Sequence, residues 1–405
     1  MSATGWNEQE LGDILTLNYG WSLPEKKRVP GDAPVYGSNG IVGTHQQALV
    51  ASPGLIIGRK GSAGNVHYSR RPFCPIDTTF YIAPGDTSLD IEFLYFLLLH
   101  IDLKRILGDV GVPGLNREMA YKEKARFPTG ADEQRKIAGV LGLVQRALEQ
   151  QERLIALTTE LKKAFLHQLF TQGLRGESQK QTEIGPVPQS WEVVKLQDVC
   201  SLISGGTPSK QKLEFWSGLI PWVSPKDMKK PRLSDVVDHI SEAALKDGSS
   251  LAPSGTVFVV IRGMILAKDV PVALAEVPMA FNQDMKAIIP GPRVEPSFLL
   301  YALVAFKQLL FQKIGRSAHG TMTLMSSELA KFAIPLPDKS TQRKVAEDIE
   351  TIERKHQQHQ RKHGVLTALF RTLLHQLMTA QIRVHDLDLP ELEQEGKAEM
   401  HCGSS

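Results

Sequence analysis

The chain contains itself twice, and that duplication limits its possible folds more than any other feature. A shift of 208 positions lays Gln134-Arg135-Lys136-Ile137-Ala138 on Gln342-Arg343-Lys344-Val345-Ala346, and His167-Gln168-Leu169-Phe170-Thr171 on His375-Gln376-Leu377-Met378-Thr379. Between these anchors no gap is needed, and 14 of 38 positions are identical. Upstream the offset drifts: Leu11 pairs with Leu196, Gly61 with Gly263 and Phe93 with Phe298. Two segments are therefore locked in length while the regions before them have diverged and grown. Such a pattern suits helices that act as rulers and globular parts that do different versions of one job.

Each half reads in the same order. A short amphipathic opening (Leu11-Gly12-Asp13-Ile14; Leu196-Gln197-Asp198-Val199) precedes a turn-rich stretch, residues 35–41 and 220–224. A β-branched run then ends in a basic glycine turn, Leu55-Ile56-Ile57-Gly58-Arg59-Lys60-Gly61 and Val257-Phe258-Val259-Val260-Ile261-Arg262-Gly263, which predicts a strand. Further short strands (78–82; 286–289), an apolar helix (93–106; 298–314), a glycine-bearing loop (111–117; 315–321) and a proline-marked exit follow. The mixture predicts an α+β (α/β mixed) fold.

Next come the locked segments. Apolar residues recur at threes and fours through Ile137, Leu141, Val144, Leu148, Leu161 and Phe165, and again through Val345, Ile349, Ile352, Leu369 and Leu373, with a phase slip near Gln151. These positions are expected to form the seam between two long helices, each about 60 Å long at 1.5 Å per residue. A small domain cannot cover such a stripe, so the two copies are expected to pack antiparallel as a coiled coil, giving a pseudo-twofold molecule. The expected organisation is a first domain over 1–131, a helix over 132–172, a polar linker over 173–189, a second domain over 190–338, a helix over 339–380 and an acidic, disordered tail over 381–405.

Composition narrows the class. The three cysteines (Cys74, Cys200, Cys402) are far apart and in no metal-binding spacing, so no disulfide framework or metal site is expected, and a reducing cytoplasm is the natural setting. No signal peptide is evident, and the longest apolar run, residues 93–99, is too short for a membrane span. Net charge is only +3, but the tail from Val384 holds six acidic residues against Lys397, which leaves the body at +8. A basic body is compatible with a polyanionic partner.

Candidate contacts to such a partner lie in loops placed alike in the two halves. In the first they are Ser38, Asn39, Arg59, Lys60, Ser62, Asn65, Asn116 and Arg117; in the second, Thr207, Ser209, Lys210, Ser224, Lys226, Arg262, Arg316, His319 and Thr321. Arginine and lysine on glycine-flanked strand ends suit a DNA phosphate or a guanine edge, whereas turn structure alone would explain Ser38 and Asn39 equally well. Gly58-Arg59-Lys60-Gly61-Ser62-Ala63-Gly64 lacks the residue order of a nucleotide-binding phosphate loop. His356, His359 and His363 share a helix face, but their partners in the first copy are seam positions, so a polar interruption of the coiled coil is the simpler reading than a metal cluster. No catalytic constellation appears.

Taken in order, these residues resemble the specificity subunit of type I restriction–modification enzymes. The resemblance covers nearly the whole chain. It rests on residues 36–43 and 58–64, on Ser204-Gly205-Gly206-Thr207-Pro208-Ser209, Ile220-Pro221-Trp222-Val223 and Phe281-Asn282-Gln283-Asp284-Met285-Lys286, on Ile334-Pro335-Leu336-Pro337, and on the paired helix ends. It implies two target-recognition domains, each reading half of a split, asymmetric double-stranded DNA site, with the helices fixing the gap. It further implies two docked methyltransferase subunits carrying S-adenosylmethionine and, in full complexes, two restriction subunits using ATP and Mg. This chain itself would carry no cofactor and no catalysis. It begins almost directly with the first recognition region, without the helical segment that precedes it in some relatives. A duplicated scaffold that binds protein rather than DNA is the competing reading.

Overall fold

The computed structural model describes residues 5–107, 114–316 and 320–384. Two compact units divide the chain, one formed by residues 1–153 with 360–405 and the other by residues 154–359.

Unit one runs β1 (Trp6–Glu10), α1 (Leu11–Ile14), β2 (Asn18–Tyr19), β3 (Ala33–Gly37), β4 (Gly40–His45), β5 (Gly54–Gly58), β6 (Val66–Ser69), β7 (Cys74–Pro75), β8 (Thr79–Ile82), α2 (Ile91–Ile101), α3 (Arg117–Tyr121), β9 (Lys124–Pro128) and the first part of α4 (Ala131–Gln172). Its main sheet has the order β2-β8-β5-β6. The uninterrupted apolar run of β5 is buried along its whole length, as a central strand covered on both faces requires. The opening strand β1 pairs antiparallel with the exit strand β9, Trp6 facing Pro128, so the unit closes on itself. Asp90 caps α2 by accepting from the Phe93 amide at 2.9 Å. That helix stops at Ile101 rather than at the expected residue 106, because Asp102 turns left-handed (φ 53°) and a 3-10 turn follows. Leu55, Phe80, Phe93 and Leu97 share their core with Ile137 and Leu141 of α4 and with Leu377 and Met378.

Unit two takes up the second part of α4, then β10 (Gln179–Thr182), β11 (Gly185–Pro188), β12 (Glu192–Lys195), α5 (Leu196–Val199), β13 (Cys200–Ser204), β14 (Ile220–Val223), β15 (Arg232–Leu233), β16 (Asp238–Ile240), α6 (Glu242–Lys246), β17 (Ser250–Ala252), β18 (Val257–Val260), β19 (Val272–Ala275), β20 (Met279–Phe281), β21 (Met285–Pro290), α7 (Pro296–Ala305), α8 (Lys307–Phe311), β22 (Ile314–Arg316), β23 (Met322–Leu324), α9 (Ser326–Ala330), β24 (Ala333–Leu336) and the first part of α10 (Lys339–Met378). The plan of unit one returns. The opening strand β12 pairs with the exit strand β24, and β13-β21-β18 reproduces β2-β8-β5. The parallel pair β3 with β7 recurs as β14 with β20.

Three expectations need correction. The stretches at 35–41 and 220–224 contain strands, β3, buried along its whole length, and β14, whose Trp222 and Val223 are buried. Residues 173–189 are no plain linker: β10 and β11 form a hairpin, and Val187, fully buried, packs into the core of unit two. Their polar composition reflects the hairpin's solvent face. The third correction concerns the seam. Ile137, Leu141, Val345 and Ile349 are buried, and Val144, Leu148, Phe165, Ile352 and Leu373 are half-buried. Leu161 and Leu369, however, are 53% and 43% exposed. The facing positions are instead filled by polar pairs: Thr158 Oγ1 lies 3.0 Å from His356 Nδ1, and Lys162 bonds Glu353. In unit one, His363 Nε2 lies 3.1 Å from Glu152 Oε1. His356 and His363 thus bond the facing helix, and the helices run antiparallel within each unit. Among the described residues no cluster suited to a metal is found.

The repeated Gln-Arg-Lys motif has a clear physical role. Gln134, buried at the start of α4, accepts from the Asp90 amide at 2.8 Å and donates to the Pro128 carbonyl at 2.9 Å. Gln342 accepts from the Glu295 amide at 2.8 Å and donates to the Pro337 and Arg293 carbonyls at 2.7 and 3.0 Å. Each glutamine fastens the start of a long helix to the domain that precedes it. Tyr95 and Tyr301 add a second tie: Gln145 donates to Tyr95 at 3.2 Å, and the Tyr301 hydroxyl donates to Glu353 at 2.7 Å.

Candidate nucleic-acid interface

Backbone hydrogen bonds put the two strand-end turns in register. The amides of Arg59 and Lys60 both donate to the Thr78 carbonyl (2.8 and 3.1 Å), and those of Ile261 and Arg262 both donate to the Asp284 carbonyl (2.8 and 3.1 Å). Lys60 then bridges to Gly114, and Arg262 to Thr323. The basic turn and the glycine-bearing loop are thereby brought together in both units. Lys60 and Arg262 hold equivalent places and both face solvent, Arg262 with Asp284 4.0 Å away. Gly263, at φ 134°, adopts a backbone that a side chain would resist.

In unit one this junction is a cleft of about 320 Å³ lined by Tyr19, Arg59, Lys60, Phe80 and residues 114–118. The Tyr19 ring, half-exposed, carries two guanidinium groups: Arg59 at 5.3 Å and Arg117 at 5.2 Å from its centroid. Arg59 also lies 5.9 Å from the Phe80 ring and donates to the Asp77 carbonyl at 2.5 Å. A guanidinium held over the face of a ring is confined before contact, while N–H groups turned away from the ring stay available to an acceptor. Sequence reading found the arginines but missed Tyr19, since one exposed aromatic in a two-residue strand leaves no periodic signal.

Other expected contacts have structural duties. Ser38 is buried and donates to the Thr78 carbonyl at 2.6 Å, locking the turn between β3 and β4. Asn116 caps α3, accepting from the Glu118 and Met119 amides at 2.9 and 3.1 Å. Ser224 is buried and donates to Asp227 at 2.9 Å. Lys226 is paired with Asp238 at 2.6 Å, and that bond raises its pKa. Asn39 is exposed on the turn, 3.5 Å from the half-buried Ser62, and the Asn65 carbonyl accepts from the Gly58 amide.

In the second unit Thr207 is exposed and donates to Gln283, a residue the site reading left out. Ser209 is half-buried, with its carbonyl accepting from Trp216 Nε1 at 3.1 Å, and Lys210 is exposed. Arg316 is exposed on β22, and Thr321 is half-buried just ahead of β23. His319 lies outside the described residues, as does almost all of the acidic tail.

The family model described as type I restriction modification DNA specificity domain matches residues 3–159 and 188–367. The EcoR124I/EcoR124II specificity subunit of Escherichia coli is 34% identical over 154 residues, 38% of this chain and 38% of that protein. The MjaIX specificity subunit of Methanocaldococcus jannaschii is 33% identical over 186 residues, 44% of this chain and 41% of that protein. This chain therefore spans less than half the length of either relative. Among solved structures, the S subunit of a type I restriction-modification system from M. genitalium superposes with a TM-score of 0.67 at 16% identity, covering 93% of this chain and 97% of that one. A chain from a type I R-M system complex gives 0.51, also at 16% identity, over 93% and 98%. With two family matches that together span most of its length, the chain belongs to the type I restriction modification DNA specificity domain family.

Proposed function

We propose that this chain is the DNA-reading subunit of a type I restriction–modification complex, with each unit contacting one half of a split double-stranded site. One observation supports it above the rest: the same backbone frame at the strand-end junction recurs in both units with a solvent-facing cation, Lys60 or Arg262, kept in place. Whatever two readers of different sequences hold in common serves what the sequences hold in common, the phosphate backbone. The helices α4 and α10, each of which starts in one unit and ends in the other, set the distance between half-sites in this reading.

The partners are two methyltransferase subunits, joined by two restriction subunits in a full complex. Leu157 and Leu161 are 65% and 53% exposed, and their repeat equivalents Val365 and Leu369 are 69% and 43% exposed. The same apolar pair, one helical turn apart, is left uncovered in each copy, which favours two copies of one partner. S-adenosylmethionine, ATP and Mg belong to those subunits, and the chain contributes recognition rather than bond chemistry. A cytoplasmic location is part of the same reading; among the described residues no helix is long and apolar enough to cross a membrane.

The test is a salt titration of DNA affinity for the chain assembled with its methyltransferase. A steep linear fall of log affinity with log salt is expected, since each neutralised phosphate contributes about −0.9 to the slope. Salt-independent or absent DNA binding would favour the protein-binding scaffold instead.

A further inference from the structure

The two units share a frame at the strand-end junction, but four side chains around it change together. Tyr19 faces Phe80 across β2 and β8, and the equivalent register places Ser204 opposite Lys286 across β13 and β21. Lys286 donates to the Ser204 hydroxyl at 2.5 Å, so a hydrogen-bonded pair stands where unit one has two tilted rings 5.0 Å apart. The backbone bonds that equate Lys60 with Arg262 equate Arg59 with Ile261. The Leu115 amide donates to the Arg59 carbonyl at 2.9 Å, and the Leu324 amide to the Ile261 carbonyl at 2.8 Å. Arg117, two residues beyond Leu115 and the first of α3, therefore matches Ser326, the first of α9.

Unit one thus has two rings and two arginines where unit two has serine, lysine, isoleucine and serine. These changes meet around one cleft, on a frame whose backbone bonds agree within 0.1 Å. We infer that this locus carries the sequence preference of each unit, and that in unit one Tyr19 holds Arg59 and Arg117 to read a guanine edge. This rests on the DNA-reading function proposed above. A guanidinium stacked on an aromatic ring is oriented before contact, which suits bidentate bonding to guanine O6 and N7. A phosphate contact needs no such orientation, and the unstacked Lys60 beside the cleft supplies one. Among the described residues the Nε atoms of Arg59 and Arg117 are both buried without a hydrogen-bond partner; Arg59 is held over the Tyr19 ring and by its bond to Asp77, and Arg117 over the same ring and beside Glu118, 3.5 Å away.

The test uses the chain assembled with its methyltransferase and oligonucleotides carrying the site found by mapping methylated DNA. Replacing guanine by 7-deazaguanine at one position of the first half-site should lower wild-type affinity about tenfold or more. Arg59→Lys or Arg117→Lys, which keep charge, should bind the normal and deaza sites alike. Tyr19→Leu should lose the same discrimination with its salt slope unchanged, and Tyr19→Phe, which keeps the ring, should retain it. Wild-type indifference to every guanine of that half-site would overturn the inference while leaving DNA binding intact. So would arginine variants that weaken binding equally on all sequences with a shallower salt slope. Absence of any specific binding would instead remove the DNA-reading function itself.

Discussion

Replacing Gln342 with leucine keeps the side-chain volume but removes three hydrogen bonds at a site that is 1% exposed. The Glu295 amide and the Pro337 and Arg293 carbonyls then lose their partner, and leucine denies them water. At about 1 kcal/mol for each bond, the loss is about 3 kcal/mol. Gln134→Leu, which removes two bonds, should cost about 2 kcal/mol in unit one. For a unit of this size each kcal/mol moves the melting temperature by about 2–4 °C, so Gln342→Leu should lower the unit-two transition by about 6–12 °C. Trp191, Trp216 and Trp222 lie in unit two and Trp6 and Trp21 in unit one, so in a background with Trp6 and Trp21 replaced by phenylalanine, tryptophan fluorescence during heating follows unit two. A shift below about 2 °C, or a larger effect from Gln134→Leu than from Gln342→Leu, would refute the idea that these glutamines clamp helix to domain.

Three further outcomes follow from the same reasoning. Arg262→Ala should weaken DNA binding about equally on all sequences and reduce the magnitude of the salt slope by about 1; a change in the preferred bases would contradict its assignment to phosphate. Leu157→Asp should remove one of two methyltransferase copies from the assembly, as should Val365→Asp, each leaving the melting curve unchanged; native mass spectrometry that still finds both copies would rule out these faces. Inserting four residues near Gln151, about one helical turn, should lengthen the gap between half-sites without altering either of them, read from a map of methylated DNA.

How far the fold could be read from the sequence varied with the kind of signal. The duplication exposed the long helices at once, because identity persisted without gaps. The buried strands β5 and β18 were equally plain, since a fully covered strand needs an unbroken apolar run. The seam was misread at Leu161 and Leu369: the apolar stripe of the sequence faces outward there, while Thr158, Lys162, Glu353 and His356 meet between the helices. Polar pairing across an antiparallel seam leaves no periodic trace. At the candidate interface, charge and glycine spacing single out Arg59, Lys60, Arg117 and Arg262, and the structure places the first three around one cleft. Ser38, Asn116 and Ser224 each hold a hydrogen bond to a nearby backbone or side-chain group, a structural duty that the sequence does not reveal. Tyr19 leaves no signal in the sequence because the two cations over its ring are distant from it along the chain.

In the proposed function each unit reads its own half-site on one common frame. Exchanging residues 1–131 for the first domain of another family member, then mapping methylated DNA in cells that carry the hybrid with its methyltransferase, addresses it directly. One half of the methylated site should change, with the other half and the gap retained. A site altered in both halves, or in neither, would contradict the claim.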